Sequence, residues 1–486
     1  MNFESSHLIS EPSFASFVYP FLFEADEFDE RIKIIENAAY QKKEKAVTIW
    51  EDQKFPEDDL LAAVSKYLNA GNSSMTTARA WKLSDALRDT FGFGADWHLK
   101  TAQGNIPFSF GKGASAIQLA LFRVGVGFLT IQAKPKNENT DDWLNFLYAF
   151  RFIRGQRNIS LQGQRRTGFD SETKTPLYSP FFPEPAGGIA KHPDGTGTLS
   201  EILTALLNNG VIYRFPDQWW REVFIPGQML PFAALFVKGI SEEQVPHLLY
   251  KLRNFFHSGQ GNSPSPEDLK SDHPSRLPYD REQWFNFSLE GGTFLAVNPQ
   301  DTPFFNQTLP DHLKDHYFLL FLLALHQRFA LMMLSEKVAH NWLIKTDKAS
   351  AVKREDIFED IRSQMLLFTA RGYFAQIMQR DHHHRCYLKW QEIFQTERLY
   401  REISDEIREM HEYAMMQQYR RLERRISRLG AFIGIPSLIL MYLGINIKGF
   451  TIPAAAGGLE WWLAALLSFG LGFALSFMII WLLGRR

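Results

Sequence analysis

Two uncharged segments near the end of the chain constrain its fold most. Residues 429–447 and 461–484 contain no Asp, Glu, Lys or Arg. At a rise of about 1.5 Å per residue, a helix of either length crosses a hydrocarbon layer about 30 Å thick. Residues 448–460 between them are too few for a domain. The sequence therefore predicts a transmembrane hairpin over 429–486, with 448–460 as its outer loop.

Basic residues flank both spans and predict the orientation of the hairpin. Five of them precede the first span, and Arg485 and Arg486 follow the second. Cytoplasmic flanks carry the excess of Lys and Arg in membrane proteins, so both termini are expected in the cytoplasm. The first residues show no basic stretch followed by an apolar one, so no signal peptide is expected. The five preceding residues are Arg420, Arg421, Arg424, Arg425 and Arg428.

Composition excludes several classes of protein. The chain has 486 residues, of which 45% are apolar, so it is expected to bury a core in more than one domain. Its 53 basic and 54 acidic residues give a net charge of -1, which argues against direct nucleic-acid binding. One cysteine, Cys386, excludes a disulfide framework and indicates a reducing compartment. The sequence shows no Ser/His/Asp order, no His-Glu-x-x-His motif and no paired acids that would indicate an enzyme. Enzymatic activity is therefore not predicted.

Small residues recur along the first span at steps of four and three, which places them on one face of a helix. Such a stripe suits either close helix packing or the lining of a narrow pore. Asn446, at the outer end of the span, needs a polar partner or water, and this favours a ring of copies around an aqueous path. A simple membrane anchor stays an alternative. The candidate pore residues are Gly430, Gly434, Ser437, Met441, Gly444, Ile445 and Asn446.

Helices are predicted before the membrane. Residues 397–428 are densely charged, with Ile403, Ile407, Met410 and Ala414 on one seam, and no helix breaker separates them from the first span. They are predicted to form a stalk helix continuous with that span. Residues 315–337 are strongly apolar but are interrupted at 326–328, which predicts a buried cytosolic helix rather than a third span. Residues 310–396 are predicted to form a helical layer.

Residues 1–309 read as a cytosolic α/β domain. Strands are predicted at 116–123, 126–133, 230–237 and 284–297, the last with a hairpin turn at 291–292. A helix is predicted over 241–256, and a polar loop over 258–278.

An arginine cluster in this domain is the best anion-binding candidate. Residues 151–166 contain no acid, and guanidinium groups pair with phosphate or carboxylate through two hydrogen bonds. Aromatic neighbours at 146, 148, 152 and 169 are candidates for stacking on a base. The Gly-rich turn at 194–198, before a helix starting near 199, is a second source of anion donors. A solvated loop or an intersubunit salt-bridge patch is the alternative. The candidate ligand-binding residues are Arg151, Arg154, Arg157, Arg165 and Arg166.

Three adjacent histidines at 382–384 raise the question of a metal site. Neighbouring side chains on a helix point about 100° apart, so they do not converge on one ion. Solvated histidines are expected, and the metal ligands of the chain are not identified by sequence.

The C-terminal layout resembles the CorA superfamily of metal-ion transporters. Gly444-Ile445-Asn446 stands where that family carries Gly-Met-Asn, after a charged helix and before a short outer loop. The resemblance implies a homopentamer with the first span lining the pore and Asn446 forming a ring at its outer mouth. Lys448 departs from the pattern, because five ammonium groups near the entrance would oppose divalent cations.

The enlarged cytosolic part, with Leu-Ala-Leu-His-Gln-Arg at 323–328, resembles the CorA-like membrane proteins that accompany type III CRISPR systems. That resemblance implies an antiviral effector channel in the bacterial inner membrane, gated by a nucleotide messenger such as SAM-AMP. An ordinary Mg, Co or Zn transporter is the alternative, in which acids such as Asp405, Glu406 and Glu409 bind a regulatory divalent cation. A membrane-anchored interaction protein is the third reading.

Overall fold

The computed structural model describes residues 8–42, 45–71, 76–113, 116–170, 173, 175–183, 192–207, 219–223, 225–342, 348–447, 470, 474, 477 and 478. The chain divides into two compact units. The first comprises Met1–Lys345 and Asp360–Ser404, and the second comprises Thr346–Glu359 and Asp405–Arg486.

The first unit is built on a large, mostly antiparallel sheet. The described strands of the unit follow one another along the chain as β1 (Leu8–Ile9), β2 (Phe14–Leu22), β3 (Ala39–Lys42), β4 (Lys45–Thr48), β5 (Trp50–Gln53), β6 (Ala78–Leu83), β7 (Asp96–Thr101), β8 (Gly104–Phe110), β9 (Ile117–Phe122), β10 (Val126–Pro135), β11 (Ser160–Phe169), β12 (Pro176–Phe181), β13 (Thr196–Gly197), β14 (Arg221–Glu222), β15 (Leu230–Lys238), β16 (Arg276–Asp280), β17 (Gln283–Ser288) and β18 (Gly291–Val297).

The strand order of the main path is β12-β11-β7-β8-β10-β2-β15-β18-β17-β16. The strands β9, β6 and β5 extend from β10, and β3 pairs with β4 in a separate hairpin. Among the described strands, β15 and β18 form the one parallel pair. Helices and strands are thus combined as the sequence predicts.

The helices are α1 (Phe28–Glu36), α2 (Ala62–Leu68), α3 (Asp85–Arg88), α4 (Thr140–Phe150), α5 (Leu199–Leu207), α6 (Val245–Arg253), α7 (Pro266–Leu269), α8 (Leu309–His312), α9 (Phe318–Trp342), α10 (Lys348–Arg371), α11 (Asp381–Ile393) and α12 (Thr396–Ile447). Single π-helical turns, Phe304–Thr308 and Leu313–Tyr317, lie on either side of α8.

Both faces of the central strands are buried, because helices pack on each. Successive side chains of a strand point to opposite faces. On one face, Phe17 of β2 contacts Phe150 of α4, with ring centroids 4.6 Å apart. On the other, Phe232 of β15 stacks on Phe321 of α9 at 5.6 Å. This explains why strands such as β2 are apolar along their whole length instead of alternating.

The strongly apolar helix before residue 340 belongs to this core. Among the described residues, the stretch Phe304–His340 is long and apolar enough to span a membrane, but 83% of its most apolar window is buried inside the protein. The prediction of a buried helix over 315–337 is therefore confirmed.

Other local predictions were mixed. The strands at 117–122, 126–135 and 230–238 are present, and the predicted helix after Ser241 starts at Val245. The hairpin turn lies at residues 289–290, because both predicted turn glycines belong to β18. Part of the loop predicted over 258–278 forms α7 and the start of β16.

Residues 397–447 are helical, because α12 runs without a break over 52 residues from Thr396 to Ile447. The outer loop and nearly all of the predicted second span lie outside the described residues. The side chains of Met441, Gly444, Ile445 and Asn446 also lie outside them.

Candidate functional site

The first three arginines of the predicted cluster follow the end of α4. This helix begins at an Asn139 cap, whose side chain accepts a hydrogen bond from the Asp142 amide at 2.7 Å. Arg151 caps its other end. The chain then turns through Gly155, Arg157 and Asn158, with φ of 69°, 59° and 60°. Left-handed backbone is unfavourable for non-glycine residues, so this turn is strained at two positions.

Arg151 is buried and paired. Its side chain is 9% exposed and forms an ion pair with Glu290. Its guanidinium lies over the rings of Phe152 and Phe255, at 5.1 and 5.8 Å from their centroids. Its Nε atom is buried without a hydrogen-bond partner.

Arg154 is also paired. It donates to Glu222 over 2.7 Å, and Glu222 accepts a second hydrogen bond from the Tyr19 hydroxyl at 3.0 Å. The charges of Arg151 and Arg154 are therefore compensated by acids far away in sequence. The predicted cluster of five arginines thus contains fewer uncompensated cations than the sequence alone suggests.

Arg157 forms the centre of a cationic group that we name the Tyr148 cluster, comprising Tyr148, Arg157, Lys251 and His257. Arg157 donates to the Tyr148 hydroxyl and lies 5.3 Å from the centre of its ring. His257 meets the same ring edge to face at 5.0 Å. Burial, together with the charges of Lys251 and Arg157, lowers the pKa of His257. Arg157 and His257 thus both contact Tyr148, and Lys251 lies close enough to His257 to act on its charge.

Sequence reasoning missed Lys251 and His257, which lie about a hundred residues after Tyr148. Lys251 is in the last turn of α6 and donates to the Ser258 carbonyl at 2.8 Å. Ser258 also bonds to Asn145 of α4, with its amide 2.9 Å from Asn145 Oδ1. This tertiary contact brings Lys251 and the residues after α6 close to α4. No local pattern in the sequence predicts it.

Arg165 and Arg166 lie on β11, where neighbouring side chains take opposite faces. Arg165 donates to the Asp89 carbonyl and stacks over Phe181 at 3.8 Å. Arg166 lies 5.2 Å from the centre of the Phe169 ring, which is 59% exposed. Among the described residues, no carboxylate forms an ion pair with Arg157, Arg165 or Arg166.

Two auxiliary predictions need correction. Phe146 is fully buried in the core, so it offers no face to a ligand. The backbone donors at this place are already used: the Thr198 amide at the end of the turn bonds to Glu201 Oε2 at 2.8 Å, and the Ser200 amide in the first turn of α5 bonds to the Ile153 carbonyl. A carboxylate of the chain thus occupies the place expected for an external anion.

The expectation of solvated histidines at 382–384 is wrong for His383, whereas His382 and His384 are half-buried. His383 is 1% exposed and stacks parallel to His316, with centroids 5.5 Å apart. Neither ring has a hydrogen-bond partner on either nitrogen, and burial lowers the pKa of His383 to about 3. Within the described part of the chain, no three His, Cys, Asp or Glu side chains are grouped so as to hold a metal ion.

A polar cavity of about 1020 Å³, with Asp89 in its lining, was not predicted. Its wall includes the Gly111–Gly113 loop and Lys314. Ion pairs neutralise part of its charge, since Lys134 bonds to Glu11 at 3.1 Å and Lys136 pairs with Asp96. Its mixed charge does not favour one ligand chemistry.

The described part of the predicted pore stripe is exposed or half-exposed. Ser437 is exposed, and its hydroxyl donates to the Ile433 carbonyl at 2.7 Å. The sequence analysis did not identify a second stripe on α12, although its apolar residues recur at steps of four and three. We name it the apolar stripe: Met415, Tyr419, Leu422, Ile426, Leu429 and Ile433, all of them exposed.

Comparisons with known proteins show a similarity to a solved structure at low identity only. No family model matches the chain, and no curated protein matches it. Among solved structures, the chain is similar to the CorA magnesium transporter from Methanocaldococcus jannaschii, with 13% identity over 54% of this chain and 92% of that one. The TM-score is 0.20, which is too low to establish a shared fold.

Proposed function

We propose that this protein is a CorA-like membrane channel or transporter, in which α12 leads from a cytosolic domain into the membrane. The observation that supports this proposal most strongly is α12 itself. It runs unbroken from the charged residues after Thr396 to Ile447, and its last 19 residues, 429–447, contain no charge. A helix of this kind joins a charged segment that suits water to an uncharged segment that suits a hydrocarbon layer.

Assembly from several copies is part of the proposal, and the apolar stripe supports it. Its residues follow one another at alternating steps of four and three positions, which is the spacing of helices that pack together along one seam. Four of the six, Met415, Tyr419, Leu422 and Ile426, precede the uncharged segment. Exposed large side chains at these positions are unfavourable in water and stabilising when packed against another copy. The number five comes from the resemblance to the CorA superfamily.

Gating by an anionic, nucleotide-type ligand is the finer part of the proposal. Arg157 lies against Tyr148, and Arg166 lies beside the exposed Phe169. Each pair combines a guanidinium group that can bind a phosphate with an aromatic ring that can stack on a base. A SAM-AMP messenger and an antiviral role in a type III CRISPR system follow from the resemblance of the cytosolic part. Binding opens the pore only if the open state binds the ligand more tightly.

Divalent-cation transport is the second candidate, and Gly444-Ile445-Asn446 favours it. Lys448, two residues beyond Asn446, argues against it because it would place positive charge at the mouth of a ring.

The test uses the full chain reconstituted in liposomes. Flux of K⁺ and Mg²⁺ is measured without ligand, with SAM-AMP and with ATP, and binding of each is measured by calorimetry. Ligand-dependent K⁺ flux supports the gated channel, whereas ligand-independent Mg²⁺ flux supports the transporter. Absence of the protein from the liposome bilayer would overturn both.

Variants separate the two arginine positions. Arg157→Gln should weaken nucleotide binding if the Tyr148 cluster holds the phosphate. Arg165→Glu with Arg166→Glu should do so if the β11 arginines hold it. The control is Arg154→Gln, since Arg154 is already paired with Glu222. Nucleotide affinity unchanged in all three variants would remove the arginine cluster from the proposal.

A further inference from the structure

The residues just before the predicted first span give α12 two opposite faces. With about 100° of rotation per residue, the apolar stripe covers an arc of about 80° around the helix axis. Five exposed arginines cover an arc of about 140° whose centre is about 150° away from that of the stripe. We name this second arc the arginine face: Arg420, Arg421, Arg424, Arg425 and Arg428.

The charge of this face is of one sign. Glu423 is the one acid in residues 413–428, and it lies about 60° beyond the edge of the arginine face. Nearer the start of α12, arginines are interspersed with acids and contact them on the same helix. Arg398 donates to Glu402 at 2.8 Å, and Arg408 donates to Asp405 at 2.7 Å. Arg401 likewise pairs with Glu397.

The position of the arginine face along the helix selects its partner. Arg428 directly precedes the uncharged segment, and Arg420 lies about 14 Å before that segment at 1.5 Å per residue. Long arginine side chains reach further toward the interface. The face thus lies at the depth of lipid headgroups if residues 429–447 are in the bilayer.

We propose that the arginine face binds the phosphates of anionic phospholipids on the cytoplasmic side, while the apolar stripe packs against other copies. This inference rests on the proposed membrane insertion of α12. Arginine pairs with phosphate through two parallel hydrogen bonds, and basic clusters next to a span are attracted to anionic lipid. The opposite placement of the two faces allows one helix to do both, since contacts along the stripe leave the arginines pointing outward.

The experiment measures the thermal unfolding of the full chain in mixed micelles. The mole fraction of phosphatidylglycerol is raised against phosphatidylcholine, and the melting temperature Tm is recorded. The Tm of the unmodified chain should rise by several degrees. The variant Arg420→Gln, Arg424→Gln, Arg428→Gln should need at least ten times more phosphatidylglycerol for the same rise.

The matched control is Arg398→Gln, Arg401→Gln, Arg408→Gln, which removes the same charge from the same helix. It should respond to phosphatidylglycerol like the unmodified chain. Equal loss in both variants, or no loss in either, would overturn the inference. If the face variant does not fold, Arg→Lys changes at the same three positions replace it, and this variant should need more phosphatidylglycerol than the unmodified chain for the same rise, because lysine cannot form two parallel hydrogen bonds to one phosphate.

Two further arms identify the source of the phosphate. Soluble glycerol phosphate should leave the Tm unchanged, and a rise equal to that with lipid would overturn the assignment to a membrane surface. A rise with a short single-stranded RNA and none with phosphatidylglycerol would assign the face to nucleic acid instead. If the chain incorporates into liposomes but ignores lipid charge, the inference fails and the proposed function stands. If it does not incorporate, both fail.

Discussion

Buried imidazole rings are the least expected residues of this chain. His316, His326 and His383 are 7%, 4% and 1% exposed. His326 stacks on Phe122 with centroids 4.1 Å apart, and burial lowers its pKa to about 3. Burial also lowers the pKa of His316. Each ring is thus held in its neutral form mainly by burial, because the charged form loses its hydration there.

Acid should therefore destabilise the protein below the ordinary histidine pKa. The unfolded chain takes up a proton on each ring near pH 6.5, whereas folded His326 and His383 do so only near pH 3. The stability that these rings contribute is full above pH 6.5 and is lost as the pH falls, by up to about 1.4 kcal/mol per pH unit for each ring. Melting temperatures of the full chain in detergent at pH 7.5, 6.5, 5.5 and 4.5 test this.

His383→Phe isolates one of the three rings. It keeps an aromatic ring beside His316 and Tyr317 and removes the titrating group. We expect little change in Tm at pH 7.5 and a shallower decline below pH 6.5. A decline as steep as that of the unmodified chain would show that His383 does not contribute to it.

Anion binding at the Tyr148 cluster should strengthen in mild acid. The pKa of His257 is lowered by burial, Lys251 and Arg157, so the ring is neutral at pH 7. A bound phosphate offsets those charges and favours the protonated ring, so affinity for ATP should rise by about tenfold between pH 7.5 and 5.5. Calorimetry of the unmodified chain and of His257→Gln measures this, with Gln expected to remove most of the rise. An equal rise in both would place its origin in ATP itself.

The role of a single residue could be predicted where its chemical type alone determines it. It could not be predicted where tertiary packing determines its partners and its burial. The absence of acids from 151–166 correctly marked an arginine-rich stretch, but Glu222 and Glu290 compensate two of its charges from other elements. The histidines at 382–384 read as polar surface because nothing local shows that α11 packs against β17 and the turn Leu313–Tyr317.

At the scale of elements, α12 is the helix whose two faces matter most. Its bounds agree with the predicted stalk and first span, since the sequence contains no breaker between them. Its apolar stripe, by contrast, falls among arginines and is visible only when residues are grouped by spacing.

A charge placed in the apolar stripe should disrupt assembly without unfolding the helix. Ile426→Asp puts a carboxylate on a seam that would be buried between copies, at a cost of several kcal/mol for each copy. We expect a smaller particle by light scattering in detergent, with unchanged helix content by circular dichroism. Ser427→Asp is the control, because it adds the same charge one residue away and outside the stripe. A particle of the same size in both variants and the unmodified chain would contradict a role for the stripe.

At the scale of the whole molecule, the sheet order was beyond sequence reasoning. Neighbouring strands such as β9 and β10 were identified correctly, because each is a local apolar run. The parallel pairing of β15 with β18 joins strands separated by two helices and two further strands, and no local pattern specifies that register.

Asn446 tests the pore and the cytosolic domain separately. Asn446→Ala removes the polar amide from the outer end of the predicted first span and should change ion conductance in liposomes several-fold. Nucleotide affinity should stay the same, because the Tyr148 cluster belongs to the first compact unit and residue 446 to the second. Unaltered conductance would remove Asn446 from the ion path.

The single cysteine has a practical consequence for such measurements. Cys386 lies in α11 and is fully buried, and burial raises the pKa of its thiol. Because the thiolate is the reactive form, maleimide reagents should leave the native protein unlabelled while it stays folded. A cysteine introduced on α12 then becomes the sole attachment point for a fluorophore or spin label, and distances between copies can be recorded in the otherwise unaltered chain.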